Sequence, residues 1–368
     1  MNKASADAPK VAIVHDWLYG GGAEKVVEQL HTLYPNAPIY TVYSSDEWRT
    51  KLNNKVVTGY LQRWPFSRLR RFTSLLQVLW FRRLNLSDYD VIISSTGSGH
   101  AKQIRTNPDQ THICYCNTPP HYLWEKYDEY MRNPGFGACN PLVRLGLRVL
   151  LKPLRALDYK AAQKVDRFMA NSTHIQTMIK KHYGAESEVV FPPVDTEGFT
   201  TPAVTDKSGL IYFGRHVAHK RIDLVINACN ELGKELVIVG TGPETPRLQA
   251  IAGPTVTFKG RLSHDKLVRA VARAEAFVFP NEEDFGIVAV EAQAAGTPVI
   301  AYRSGGSLDT VVEGVTGEFF DTQTVHSLAK AIEGFNHKLY NRRAIIENAH
   351  TFSQDTFKSH IKRIVTSV

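Results

Sequence analysis

Short apolar runs alternate with amphipathic stretches along the whole chain. Val11–His15 reads as a buried strand, the turn Tyr19-Gly20-Gly21-Gly22 follows, and apolar positions then recur with helical period from Ala23 to Leu33. The same order returns at Asp90–Ser94, Thr111–Tyr115 and Arg167–Ala170, the last leading into Asn171-Ser172-Thr173, a good N-cap for another helix. A polar, proline-bearing stretch from Phe191-Pro192-Pro193-Val194-Asp195 to Ser208 interrupts the pattern. It then restarts with Leu210–Phe213, Glu235–Val239, Val256–Phe258, Ala276–Phe279 and Pro298–Ala301, each followed by a helical stretch. Strands alternating with helices predict parallel sheets covered on both faces. The expected fold class is therefore α/β, with two Rossmann-like doubly wound domains facing a central cleft. We place the first domain at residues 1–194 and the second at 195–352. Residues 353–368 form one amphipathic helix with Phe357, Ile361 and Ile364 on a face.

Composition agrees with two domains: 368 residues at ~150 per domain, 43% apolar and 22% charged, leave ample core. Charge is uneven. Residues 1–195 carry 25 basic and 17 acidic side chains, and residues 196–368 carry 19 of each, so the whole surplus of +8 lies in the first half. An anionic partner is expected there, but a uniform nucleic-acid coat is disfavoured. Four cysteines without a C-x-x-C pair favour a reduced compartment over a disulfide framework, zinc or redox chemistry. No run approaches the ~20 apolar residues of a bilayer span. Membrane contact is thus expected to be peripheral.

The richest chemistry is in the second half. Glu283 follows the strand ending at Phe279, and Glu291 lies eight residues further on the next helix. Phe285-Gly286-Ile287 opens that helix, where unpaired backbone N–H groups suit a diphosphate or sugar hydroxyls. Two carboxylates alone are equally compatible with solvated helix charges. Phe213-Gly214-Arg215 leaves another strand, however, and Lys220 follows five residues later, so two cations share the sheet edge of the Glu283 loop. Arg and Lys can stabilise a departing nucleoside diphosphate as a divalent metal does elsewhere. No metal or other cofactor is expected.

In combination these residues resemble the family 4 retaining glycosyltransferases of the GT-B fold, in which an Arg, a nearby Lys and two glutamates separated by seven residues recur. The similarity extends to Val14-His15-Asp16-Trp17, Gly20-Gly21-Gly22-Ala23-Glu24-Lys25, Tyr115-Cys116-Asn117-Thr118-Pro119-Pro120 and Pro192-Pro193-Val194-Asp195. The resemblance implies that Arg215 and Lys220 hold the donor's phosphates, Glu283 contacts the transferred sugar and Glu291 binds the nucleotide ribose. It implies that Gly21 and Gly22 let the first domain's backbone approach the donor. It also implies that the terminal helix crosses back to the first domain. This chain departs from many relatives by carrying Asn117 where they carry His; His100, His121 or Asn117 itself is then the candidate for that contact.

Asp16, Tyr122 and Trp124 complete the expected acceptor or sugar pocket, the first as an orienting carboxylate and the others as stacking platforms. Asp88-Tyr89-Asp90 matches D-x-D but precedes its strand, which argues for a turn instead of a metal site. The basic surplus concentrates in two segments. One runs from Arg63 to Leu84, with Arg68 and Arg71 among leucines and aromatics. The other carries Arg144, Arg148, Lys152 and Arg155 as a single cationic stripe, with Pro153 expected to kink or restart its helix. Both suit an anionic membrane surface, and both equally suit helices packed on a sheet.

The reading reached from sequence is a retaining hexosyltransferase. It is expected to move mannose from GDP-mannose onto a lipid-linked or other glycan at the inner face of the plasma membrane, the nucleotide sugar being its donor substrate. The alternatives are an epimerase or phosphorylase of the same fold, or a nonenzymatic RNA-binding protein using the basic half.

Overall fold

The computed structural model describes residues 9–69, 72–132, 134, 135 and 137–368. The chain divides into two compact units, residues 1–191 with 358–368, and residues 192–357. The terminal helix Gln354–Thr366 therefore starts in the second unit, and its residues from Lys358 onward belong to the first. Phe357, Ile361 and Ile364 on its apolar face are all buried.

Among the described residues the first unit carries a seven-stranded parallel sheet. Its strands are β1 (Val11–His15), β2 (Ile39–Thr41), β3 (Val56–Val57), β4 (Val91–Thr96), β5 (Thr111–Cys116), β6 (Arg167–Ala170) and β7 (Ser187–Val189), in the order β3-β2-β1-β4-β5-β6-β7. The second unit carries β8 (Leu210–Phe213), β9 (Leu236–Val239), β10 (Val256–Gly260), β11 (Ala276–Phe279), β12 (Val299–Tyr302) and β13 (Gly317–Phe320), in the order β10-β9-β8-β11-β12-β13. Every pairing is parallel. The strand order reverses direction between β1 and β4 in one sheet and between β8 and β11 in the other. In doubly wound sheets that crevice, beyond the strands' C-terminal ends, is where ligands bind.

The central strands are apolar on both faces because helices cover both; β1, β4, β8 and β11 are buried throughout. Two polar groups in the first core have specific partners. Lys102, 1% exposed, is ion-paired with Asp158, which also accepts from Trp124 Nε1 at 2.9 Å and Tyr183 Oη at 2.7 Å. Removing either charge would strand the other in a dry interior, at a cost of about 3–5 kcal/mol. The helix bearing Asp158 runs unbroken from Asn140 to Ala162 with Pro153 inside it, against the expected break. Pro153 is exposed, so water can take the carbonyl it frees.

His112 on β5 is the second such group, its Nε2 at 2.8 Å from Ser94 Oγ. Burial drives its imidazolium down to a pKa of about 4, despite the nearby Asp166. The unfolded chain thus binds a proton between about pH 6.5 and 4 that the folded chain refuses, so stability is lost as pH falls through that window. The expected loss between pH 7 and pH 5 is about 2 kcal/mol, read as the shift in urea midpoint. His112→Gln should flatten that part of the profile; an unchanged slope contradicts the assignment.

Candidate active site

In the second unit, four loops converge beyond the C-terminal ends of β8, β9, β11 and β12. The loop after β8 carries Arg215 and a short 3₁₀ turn, Ala218–Lys220. The loop after β11 carries Glu283. Lys220 Nζ and Glu283 Oε1 form an ion pair with side chains 15% and 22% exposed, and Asn281 Nδ2 donates to the same oxygen at 3.0 Å. The pair spans the β8/β11 switch point. It places an ammonium where a phosphate oxygen can replace a carboxylate as its counterion, with the carboxylate beside it. Arg215 is exposed on the same loop. Tyr212 beneath it is buried, and burial pushes its hydroxyl well above the ordinary phenol range. Glu283 adds to that shift and Arg215 opposes it, so both charges act on one neutral hydroxyl.

Two glycine-bearing turns shape this site, and neither was singled out from sequence. Gly306 N–H donates to the Glu283 carbonyl at 2.8 Å, and Ser304 Oγ donates to Glu282. A Cβ on Gly306 would lie 2.2 Å from Phe285 Cα, so only glycine lets the two loops close. On the other flank, Gly240 has φ +124°, and a Cβ there would lie 1.9 Å from the Gly214 carbonyl oxygen. The G-x-G spacing of Gly240-Thr241-Gly242 and the Ser304-Gly305-Gly306 run, each just after a strand, were the available signals.

The remaining second-unit candidates divide by accessibility. Glu291 is 8% exposed on the helix Ile287–Ala294, whose N-cap is Gly286 with no capping side chain. Phe285 is buried and packs edge-on against Phe352 at 5.5 Å, so its side chain serves the loop's core.

In the first unit, the corresponding β1/β4 switch point is built around Asp16. Its Oδ2 accepts from Thr96 Oγ1 at 2.9 Å and from the N–H groups of Gly97 and Ser98 at 2.8 Å, and its Oδ1 accepts from Ala101 N–H at 2.7 Å. Burial opposes ionisation, yet His100, His15 and the Ser98 and Gly97 N–H groups outweigh it and hold the carboxyl below its ordinary range. The carboxylate is committed to shaping the 96–101 loop. On the preceding glycine turn, Glu24 folds back so that Oε1 accepts from Gly20 N–H at 2.9 Å and Tyr19 N–H at 3.2 Å. Gly21 and Gly22 are exposed at the turn's crest.

His100 is buried, with Nδ1 2.7 Å from Ser98 Oγ. Asn117 Nδ2 donates to Ser95 Oγ at 3.1 Å, and the Asn117 carbonyl accepts from Asn171. His121 Nε2 lies 3.3 Å from Thr118 Oγ1. Asn117 and His121 thus stand at the C-terminal edge of β5, close to the loop that Asp16 organises. Tyr122 lies edge-on to Tyr130 at 6.4 Å, and burial raises its phenol. Trp124 is not a free platform: its ring stacks on His182 at 4.7 Å and carries the Arg155 guanidinium at 5.2 Å.

The expected cationic stripe also divides. Arg155 Nε donates to the Leu123 carbonyl at 2.6 Å and Arg144 Nη2 to the Arg132 carbonyl at 2.6 Å, so these two work within the unit. Arg68, Arg148 and Lys152 are exposed, and Arg71 lies outside the described residues. Arginine's long stem and five donors let it satisfy nearby carbonyls, which a helical wheel does not reveal. Asp90 Oδ2 accepts from Lys10 N–H at 2.7 Å at the entering end of β4, a turn role. Among the described residues no group of three or more His, Cys, Asp or Glu side chains is placed to hold a metal ion, and no helix is long and apolar enough to cross a membrane.

Comparison with known proteins covers both halves. The Glycosyltransferase Family 4 profile matches residues 20–198, and the Glycosyl transferases group 1 profile matches residues 194–352. A D-inositol 3-phosphate glycosyltransferase of Mycobacterium sp. (strain KMS) is 33% identical over 229 residues, 55% of this chain and 52% of that protein. A GDP-mannose-dependent alpha-mannosyltransferase of Corynebacterium glutamicum is 37% identical over 111 residues, 30% of this chain and 27% of the relative. The chain spans about half the length of the first of these relatives and less of the second. Among solved structures, sucrose-phosphate synthase from Thermosynechococcus elongatus superposes with TM-score 0.73 at 17% identity, covering 97% of this chain and 99% of that one. Anabaena HepE in complex with UDP and glucose gives 0.69 at 17% identity, covering 98% and 100%. The fold is GT-B, as expected.

The loop interlock generates a stability prediction. Gly306→Ala should lower urea stability by about 1–3 kcal/mol, because backbone must move to admit the methyl. Gly334→Ala, at a helix end with open space around its Cβ position, should be neutral or slightly stabilising. Equal effects at the two positions contradict the interlock.

Proposed function

We propose that this chain, which joins a Glycosyltransferase Family 4 domain to a Glycosyl transferases group 1 domain, is a retaining glycosyltransferase moving a hexose from a nucleotide diphosphate sugar to a glycan hydroxyl. The observation that carries the reading is the Lys220–Glu283 pair at the β8/β11 switch point, with Arg215 on the same loop. The donor's diphosphate takes Lys220 and Arg215 as counterions, which frees the Glu283 carboxylate to accept from hydroxyls of the sugar. As the bond from the anomeric carbon to the phosphate oxygen breaks, negative charge grows on the phosphate beside fixed cations. The acceptor hydroxyl attacks from the same face, and its proton passes to the departing phosphate. Retention follows without a covalent sugar–enzyme bond. Glu291 is the ribose contact.

For the donor we propose GDP-mannose, supported by the likeness to the Corynebacterium glutamicum enzyme. The proposed acceptor is a lipid-linked glycan at the inner face of the plasma membrane, supported by the basic excess of the first half and by the exposed Arg68, Arg148 and Lys152. Asn117, with His100 and His121 near it, is the proposed first-domain contact to the sugar, and Gly21 and Gly22 the backbone approach.

Calorimetric titration with GDP and UDP, followed by turnover with labelled GDP-mannose, UDP-glucose and an acceptor panel that includes D-inositol 3-phosphate, tests this reading. Lys220→Ala should weaken nucleoside diphosphate binding about 10- to 100-fold, the loss of one charge-assisted contact. Glu283→Gln should leave that binding within a few-fold while cutting sugar transfer at least 100-fold. Absence of binding to any nucleotide, or full transfer by both variants, contradicts it.

A further inference from the structure

The first unit carries a cationic cavity beside the turn that continues the 96–101 loop. Helices Ser74–Arg82 and Asn140–Ala162 both pack on the short turn Ala101–Gln103. Gln103, nearly fully buried, ties them together: Oε1 accepts from Arg82 Nη2 at 2.8 Å and Nε2 donates to the Leu157 carbonyl at 3.2 Å. Beside this tie opens a cavity of about 450 Å³. Ile104, Leu157 and Ala161 give it apolar walls. Four cations line it, Arg82, Arg105, Lys160 and Lys164, with no carboxylate among the lining residues. Both helices end there, before strands β4 and β6 begin, and the turn Ala101–Gln103 that joins them packs on β1 and β4.

Each of these helices also exposes an apolar stripe, on the long helix beside the exposed Arg148 and Lys152. Leu142, Leu145 and Val149 recur at i, i+3 and i+7 and are 71%, 58% and 66% exposed. Eighteen residues, five full turns, separate Leu142 from Lys160, so one helix face runs from leucine to the cationic cavity. Leu75 and Leu79, both exposed, share a face with Arg82 at i, i+4 and i+7 in the same way. Of the long helix only Asp158, Ala161 and Ala162 are buried, so the inner core anchors its last turns and leaves the leucines to the surface.

Four like charges gathered with no carboxylate among the lining residues repel one another, and an anion joining them relieves that repulsion. A soluble polyanion would gain nothing from the neighbouring leucines, and a second copy of this chain would bring the same cations against themselves. We infer that this cavity binds the phosphate of an anionic phospholipid headgroup while the leucine faces of the two helices enter the same bilayer. The inference rests on the membrane part of the proposed function and gives it a defined lipid contact.

Sedimentation of the whole chain with vesicles tests it without donor or acceptor, so its failure is separate from failure of the transferase reading. Vesicles of phosphatidylcholine with 30% phosphatidylglycerol should carry the protein down, and pure phosphatidylcholine should not. Arg105→Gln with Lys164→Gln should weaken that binding about 30-fold, two cations at roughly a log unit or less each. The charge-matched pair Lys10→Gln with Lys55→Gln, outside the cavity's lining, should lower it no more than about threefold. Leu142→Ser with Leu145→Ser should lower it at least tenfold. All these side chains are exposed or partly so, and unchanged melting temperatures would show that the variants fold. Wild-type indifference to phosphatidylglycerol overturns the inference. So does equal loss from the two charge pairs, unchanged binding after Leu142 and Leu145 are replaced, or self-association through this face without vesicle binding.

Discussion

The ion pair between Lys220 and Glu283 is the interaction on which the chemistry proposed for the second unit depends. It joins the loops after β8 and β11 at the crevice where the strand order reverses. A half-buried ammonium needs a negative partner, and a half-buried carboxylate needs a donor; each is satisfied here by a group that a ligand can replace. The surrounding backbone is fixed by contacts that tolerate no side chain, Gly306 against Phe285 and Gly240 against Gly214. A rigid frame around an exchangeable pair is the arrangement expected of preorganised charge stabilisation, since the frame need not rearrange when charge develops.

The first unit uses the same topology for a different purpose. Asp16 stands at the end of β1, and four donors from the 96–101 loop bind its carboxylate. That loop is thereby held beside Asn117 and above the Lys102–Asp158 pair. One buried acid positions the edge of the sheet and another anchors the long helix, whose leading turns remain free to present leucines outward. Charge in this half therefore has three uses: internal struts such as Arg155 and Arg144, loop organisation through Asp16, and a surface concentration around Arg82, Arg105, Lys160 and Lys164.

Much of the fold was legible because the central strands are continuous apolar runs separated by glycine turns and amphipathic helices. Strands β1, β6, β8 and β11 fall where the pattern placed them. The strands not recognised, β2, β3, β7 and β13, are two to four residues long; β3, β7 and β13 are edge strands and β2 adjoins one, where partial exposure breaks the apolar run. That Lys220 and Glu283 stand at one sheet edge was legible because opposite charges followed strands of the same sheet, and the structure pairs them. Asp16 was not, since its partners lie 80 to 85 residues away and include three backbone N–H groups, which no residue pattern records. Trp124 and Arg155 satisfied each other for the same reason: an aromatic face and a guanidinium read as surface features until tertiary structure brings them together.

In the proposed reaction a nucleoside diphosphate displaces Glu283 from Lys220. A crystal structure of the whole chain with a nucleoside diphosphate tests it most directly. A phosphate oxygen is expected within about 3 Å of Lys220 Nζ, the ordinary reach of a charge-assisted hydrogen bond, with the Glu283 carboxylate released toward the sugar position. A nucleotide bound elsewhere, with the Lys220–Glu283 pair intact, would contradict it.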